Sequence, residues 1–427
     1  MIQFRCTCRS SPTCVDLSSS LPSSSTSTIE QRDVVLRYNL STFGWSPVRI
    51  CNDELPCNAN RKDANHPPFM PPTQDEIVAL FDAPYHEKEV MMKQVDSYIS
   101  YITAESGNGD SASVEPKESY ELALRKIPKQ TRDEINITLE PSMKIHAIIS
   151  RWCQSLQYMV QRVEQLLEFP SQTFVETNPY ASLDLLRVFY YHHDTPSKET
   201  DETKTAGHNQ EEDLILGSSP HTDWGSFTMV WQDDVGGLQT YCQACQHYVD
   251  VPPPVLPVSE NDKRTMWYGI VHVGDVTSLA LNHPSVDTPS SASKEKTVTS
   301  KTSDSYLAWP SPRHRVILQP NRKRTSLVYF AYPPAHKSLN DLQHEVEDWK
   351  KRQNFMTTAI PALKEEGFPH QEYYLLKNQA TKEIDFDGEY NHNGSNENHE
   401  EFQVYTSICH QPLGQVFQEK WNQVQRG

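Results

Sequence analysis

The stretch HTDWGSFT, residues 221–228, sets a histidine and a carboxylate two positions apart inside a run of β-branched and aromatic residues. Side chains alternate across a strand, so His221 and Asp223 are expected on one strand face, an imidazole beside a carboxylate. A first-row divalent metal accepts that pair, and a third ligand from another strand would close a two-histidine, one-carboxylate triad. Such a triad leaves one side of the metal open, as an oxygen-activating Fe(II) centre requires. The competing reading is a His–Asp hydrogen bond near a surface turn. Downstream, in PRHRVILQPNRKRTSLVYF (312–330), His314 opens a strand, Arg324 follows ten residues later and Ser326 stands two beyond it. Arg324 and Ser326 again share a strand face, and a guanidinium fork with a hydroxyl beside it suits a carboxylate. An open metal next to such a grip would take a chelating 2-oxo acid.

The elements that must position these residues are short. LDLLRVFYYHH, SFTMVWQ, GGLQTYC, HYVDVPP, TMWYGIVHVGD, TSLALN, RHRVILQP and RTSLVYFAYPP are strand-like runs bounded by Gly, Pro, Asp and Asn. Strands this numerous without helices between them predict an antiparallel sandwich or jelly roll. Ahead of them, SPTCVDLSSSL (11–21) reads as a first strand entering a Ser-rich connection, and FGWSPVRI (43–50) as a second strand. Thr73 with Glu76 forms a capping-box signature for a helix that is expected to resume after Pro84 through 86–103. From Met143, apolar residues recur at steps of three and four through Trp152 and Met159 to Leu167, predicting a long buttress helix over 142–168. Helical pattern returns at 339–356 and 412–426. Segments 105–116, 195–213, 285–305 and the acidic 383–401 are too polar to offset their ordering entropy and read as mobile loops. The chain divides into 11–180, a first-strand and helical region; 181–335, the β core with insert 285–305; and 336–427, a helical extension with the loop 383–401.

Composition narrows the partners. The net charge of −17 argues against nucleic acid and anionic membranes, because each phosphate contact needs a cation. No run of about 18 apolar residues exists to span a bilayer, and the N-terminus has no apolar signal core, only a faint Ser/Arg bias. Nine scattered cysteines do not read as a disulfide framework. A reduced, soluble, cytoplasmic monomer acting on a small molecule is the expectation.

The set HxDxG…GGLQ…GD…HRV…RxS resembles the iron- and 2-oxoglutarate-dependent dioxygenases of the plant and isopenicillin N synthase-like class. SPTCVDLSSSL, FGWSPVRI, DLLRVFYYHH and, weakly, the C-terminal EKWNQV extend the resemblance over most of 11–334. It implies a double-stranded β-helix with N-terminal and C-terminal helical layers, Fe(II) held by His221, Asp223 and His314, and 2-oxoglutarate as co-substrate with dioxygen. It also implies that Arg324 and Ser326 hold the far carboxylate of 2-oxoglutarate and that Tyr191 assists. Oxidative decarboxylation to succinate and CO2 would then be coupled to hydroxylation or desaturation of the substrate. Two departures stand out: the usual Asn two residues before that tyrosine is Phe189, and 93 positions separate His221 from His314. The long gap makes His283 a rival distal ligand, but the ten-residue step to Arg324 and the following Arg315-Val316 favour His314. A synthase-like oxidase without 2-oxoglutarate and a non-catalytic jelly roll are the other readings. In CQACQH, Cys242, Cys245 and His247 have metal-like spacing but fall in a turn with no second CxxC. His192 and His193 read as rim residues, Gly236-Gly237 and Gly274-Asp275 as turns, and Trp224 as core or pocket lining.

Overall fold

The computed structural model describes residues 12–18, 27–51, 54–55, 71–82, 84, 88, 99–102, 105–106, 114–124, 141–178, 181–192, 214–242, 246–253, 266–282, 309–357 and 409–424. In chain order the elements are β1 (Val15–Asp16), α1 (Ser27–Phe43), β2 (Trp45–Cys51), α2 (Gln74–Phe81), β3 (Ile99–Ile102), β4 (Glu105–Ser106), β5 (Val114–Glu115), β6 (Lys117–Ala123) and α3 (Pro141–Leu166). There follow β7 (Leu185–Tyr191), β8 (Leu216–His221), β9 (Phe227–Gln232), β10 (Leu238–Cys242), β11 (His247–Asp250), β12 (Met266–Val273), α4 (Asp275–Asn282), β13 (His314–Ile317) and β14 (Arg324–Ala331). The helices α5 (Leu339–Glu345), α6 (Glu347–Thr357) and α7 (Leu413–Val424) close the chain.

Two sheets face each other. One has the order β1-β2-β12-β9-β14-β7-β6-β3, the other β11-β10-β13-β8. From β7 to β14 the chain passes back and forth between them, with β10 and β11 as a hairpin within the smaller sheet, and four strands of each sheet make the double-stranded β-helix expected from the strand pattern. Side-chain alternation explains why each sheet has two distinct faces. On β9 and β14, Phe227, Met229, Trp231, Leu327, Tyr329 and Ala331 enter the main core, where the buried face of α3 (Trp152, Leu156, Met159, Val163) packs. The opposite faces, with Val230, Ile270, Phe189 and Tyr191, join Leu238 and Val316 of the smaller sheet in a second cluster inside the barrel. α3 therefore acts as the buttress its periodicity predicts. The Thr73–Glu76 capping box is formed in both directions, as its sequence signature predicts.

Several elements differ from the sequence expectation. Between the first strand and β2, where no helix is expected, Ser27–Phe43 form α1, in which Leu36 and Leu40 are buried along with Arg37 and Asn39. Residues 99–102, expected within a helix, form β3, and the unanticipated β6 joins it to β7. TSLALN is not a strand: it lies in α4, and Gly274-Asp275 starts that helix rather than turning a hairpin. Because residues 275–281 are buried on every side, no amphipathic period marks them as helical. The ends of 105–116 pair as the β4–β5 ribbon instead of forming a loop. Segments 195–213, 285–305 and 383–401 lie outside the described residues, as do His193, Cys245 and His283. No helix among the described residues is long and apolar enough to cross a membrane.

Candidate metal centre

β8 and β13 pair so that His314 stands directly opposite His221. Their rings lie 4.4 Å apart inside the barrel. β8 ends at His221, so Asp223 is not on a strand; the carboxylate arrives from the β8–β9 connection. That connection is held from behind, the Asp275 amide donating to the Asp223 carbonyl at 2.8 Å and the Gly274 amide to Ser226 at 2.8 Å. A Cβ on Gly274 would lie 2.1 Å from the carbonyl oxygen of Gly225, so only glycine permits the approach. Asp223 Oδ1 is then 3.8 Å from His221 Nε2, and Oδ2 is 3.7 Å from His314 Nε2. One ligand atom from each of the three residues falls within 4.8 Å of the others, the only such group of His, Cys, Asp and Glu among the described residues.

Backbone carbonyls set the tautomers. His221 Nδ1 lies 2.7 Å from the Ser219 oxygen and His314 Nδ1 2.9 Å from the Pro312 oxygen. A carbonyl only accepts, so each Nδ1 carries the hydrogen and each Nε2 turns a lone pair toward Asp223. Burial first, and the neighbouring His314 second, push His221 down to about 4. Burial opposes ionisation of Asp223, but the charges of His314, His221 and His272 outweigh it and hold the carboxyl below its usual range. A neutral His221 beside an ionised Asp223 is the state that receives a cation near neutral pH. Asp223 Oδ2 is buried without a hydrogen-bond partner among the described residues. Two imine nitrogens and the Asp223 carboxylate fit Fe(II) as ligands.

At the other end of the barrel interior, Arg324 opens β14 opposite Tyr191 of β7, with Ser326 opposite Phe189. The guanidinium sits 4.7 Å above the Tyr191 ring. Its Nε donates to the Gly236 carbonyl at 2.6 Å, Nη1 to Ser326 Oγ at 3.2 Å and Nη2 to Gln232 Oε1 at 3.3 Å. The Gly236-Gly237 turn is as expected: Gly237 has φ +91°, and a Cβ there would meet the Ile317 oxygen at 2.3 Å. Phe189 is buried with its ring 5.7 Å from that of Tyr191. The structure thus brings His221, Asp223 and His314 together, and separately Arg324, Ser326 and Tyr191.

Two features escaped the sequence reading. His272, fully buried on β12, lies 3.9 Å from Asp223 Oδ2 through Nδ1. Lys117 pairs with Glu115 at 2.5 Å, and Glu115 accepts from the Ser219 amide at 2.6 Å, bracing the strand that carries His221. The alternation in EPKESYELA is the signal that could have revealed β6 and with it Lys117. Cys242 and His247 are cross-strand partners in the β10–β11 hairpin. His192 faces Glu118 at 3.1 Å, outside the triad. Trp224 is partly buried against the main core, with Lys420 of α7 4.8 Å from its ring centre.

The family model of the 2OG-Fe(II) oxygenase superfamily matches residues 183–278 of this chain. That span contains His221 and Asp223 but ends before His314 and Arg324. A 1-aminocyclopropane-1-carboxylate oxidase of Dictyostelium mucoroides is 30% identical over 127 residues, 26% of this chain and 33% of that protein. A 2-oxoglutarate-Fe(II) type oxidoreductase of Metarhizium rileyi is 30% identical over 138 residues, 31% of this chain and 30% of the relative. The chain thus spans about a third of the length of these curated relatives. Among solved structures, Neurospora crassa T7H in complex with alpha-KG superposes with a TM-score of 0.46 at 15% identity, covering 76% of this chain and 86% of that one.

Proposed function

We propose that the protein is an Fe(II)- and 2-oxoglutarate-dependent dioxygenase that hydroxylates or desaturates a small organic substrate, releasing succinate and CO2. One observation carries this reading: a histidine–carboxylate cluster and a buried arginine–serine pair share one barrel interior. His221, Asp223 and His314 would hold iron, which when bound supplies the activation of dioxygen. The chain supplies orientation and dryness. The Ser219 and Pro312 carbonyls fix the two imidazoles, while Val230, Ile270 and Val316 exclude water. Arg324 uses three of its five N–H groups on protein partners, which leaves two for the far carboxylate of 2-oxoglutarate, with Ser326 beside it and Tyr191 beneath. The three-part division at 181 and 335, a monomeric state, a cytoplasmic location and a lack of nucleic-acid or membrane partners belong to the same reading, supported by the acidic charge and scattered cysteines.

A second reading has a specific observation in its favour. Phe189 presents an apolar ring where a polar contact to the co-substrate is usual, and two relatives bear the name 1-aminocyclopropane-1-carboxylate oxidase. Arg324 and Ser326 would then hold the carboxylate of the primary substrate. Anaerobic titration with Fe(II), then with 2-oxoglutarate, followed by a substrate panel scored for succinate, separates the two. Iron binding with 2-oxoglutarate-dependent succinate release supports the dioxygenase; iron binding with no response to 2-oxoglutarate selects the oxidase. A chain that takes up no iron sinks both.

A further inference from the structure

β12 brings a third imidazole to the cluster. His272 pairs through its backbone with Thr228 of β9 on one side and Trp45 of β2 on the other, so its position is locked within a central strand. The side chain has no solvent exposure, and neither ring nitrogen has a hydrogen-bond partner among the described residues. Burying an imidazole in that condition is costly, because both nitrogens give up water without a replacement. Asp223 Oδ2 lies 3.9 Å from Nδ1 with no partner at hydrogen-bond geometry among the described residues, and the Thr228 hydroxyl is another side-chain group that acts on this carboxylate. The ring also lies edge-on to that of His314, with centres 4.8 Å apart. Three residues further on, the Asp275 amide already holds the Asp223 carbonyl. The corner between β12 and α4 therefore grips Asp223 by its backbone and faces its carboxylate with a donor.

We propose that His272 is a positioning residue for Asp223. Its Nδ1–H takes one carboxylate oxygen and leaves the other as a single-oxygen metal ligand. This rests on the proposed iron site. A carboxylate that binds a metal through one oxygen leaves the second as a strong acceptor, and a buried donor there fixes the plane of the carboxylate and the direction of its lone pair. The two orphaned groups satisfy each other once the carboxylate turns toward the imidazole by less than the length of a hydrogen bond. Without metal, His272 is a buried liability; with metal, it completes the set.

The test compares His272→Leu, His272→Asn and His272→Gln, without reference to turnover. Fe(II) affinity is measured anaerobically by chelator competition, and the visible spectrum of the Co(II)-loaded protein reports ligand geometry. Leucine removes both nitrogens and should weaken Fe(II) by about 10- to 100-fold, the range seen when an outer partner of a metal ligand is lost. Asparagine places an amide N–H near the Nδ1 position and should recover affinity to within a few-fold, with a Co(II) spectrum superimposable on the wild type. Glutamine reaches toward the Nε2 position and should not recover it. The metal-free leucine variant should melt no lower than the metal-free wild type, since it loses two unpartnered polar atoms, so that stability and affinity move in opposite directions. Wild-type affinity in the leucine variant would overturn the proposal. Asparagine as weak as leucine would also overturn it, by making His272 a ligand or a packing residue. Absence of Fe(II) binding in the wild type would instead remove the iron reading itself.

Discussion

Arg324 and Asp223 are opposite charges buried in the same barrel, and the protein treats them differently. Arg324 gives three N–H groups to Gly236, Ser326 and Gln232 and rests on an aromatic face. Every one of those partners is a neutral dipole, so the cation is solvated by protein whether or not a carboxylate arrives. Asp223 has three imidazoles at 3.7–3.9 Å and an oxygen with no partner among the described residues. One end of the site is thus finished by the fold, and the other is finished by a cation. The difference assigns separate tasks: the arginine end selects and orients, and the histidine end is assembled on loading.

That contrast can be broken most severely at the metal end. His314→Ala or Asp223→Ala should reduce bound Fe(II) from about one per chain to none measurable, because two donors do not hold a divalent ion against water. Fe(II) at about 1,000 times its dissociation constant should stabilise the wild type by roughly 4 kcal/mol, and neither variant should show the accompanying rise in melting temperature. His283→Ala should keep both the iron and the rise. Loss of iron there would overturn His314 as the distal ligand.

The two glycines sharpen the division. Gly274→Ala must move the Gly225 carbonyl, and Gly237→Ala must move that of Ile317, each at a cost of about 1–3 kcal/mol in folding stability by chemical denaturation. Their binding effects should differ in kind. Gly274→Ala should weaken iron, whereas Gly237→Ala should weaken 2-oxoglutarate and leave iron near one per chain. Equal effects on both ligands from either variant would show that the two ends are not independent.

Smaller changes are expected within the arginine end. Arg324→Lys keeps the charge but loses the planar fork, and should weaken 2-oxoglutarate by about one to two powers of ten in a calorimetric titration. Ser326→Ala removes one neutral hydrogen bond and should cost less, roughly 1 kcal/mol. If 2-oxoglutarate affinity holds in both while turnover falls, the pair serves the primary substrate. The smallest effect should come from Thr73→Ala, which removes the cap of α2 at about 1 kcal/mol of folding stability. Gln74 of that helix donates to Asp233 at 3.1 Å, and Asp233 accepts from the Thr325 amide at 2.6 Å. A slight loss of 2-oxoglutarate affinity with unchanged iron is the outcome that fits this brace.

The residue types at both ends are legible in the sequence because their spacing is local. RxS holds Arg324 and Ser326 on one face of β14 through strand alternation alone, and the α3 face follows from a helical period. Strand existence is equally legible across 185–191 and 227–242. Tertiary structure decided the rest, since a pairing between distant segments leaves no mark on either one. Asp223 leaves the strand because the end of β12 and the start of α4 hold its backbone. Residues 275–282 form a helix because that corner buries them all round, which erases the amphipathic pattern. His272 meets Asp223, and Glu115 meets Ser219, only through tertiary contact between segments that lie 49 and 104 positions apart in the chain. Local chemistry named the ligands, and non-local packing supplied what surrounds them.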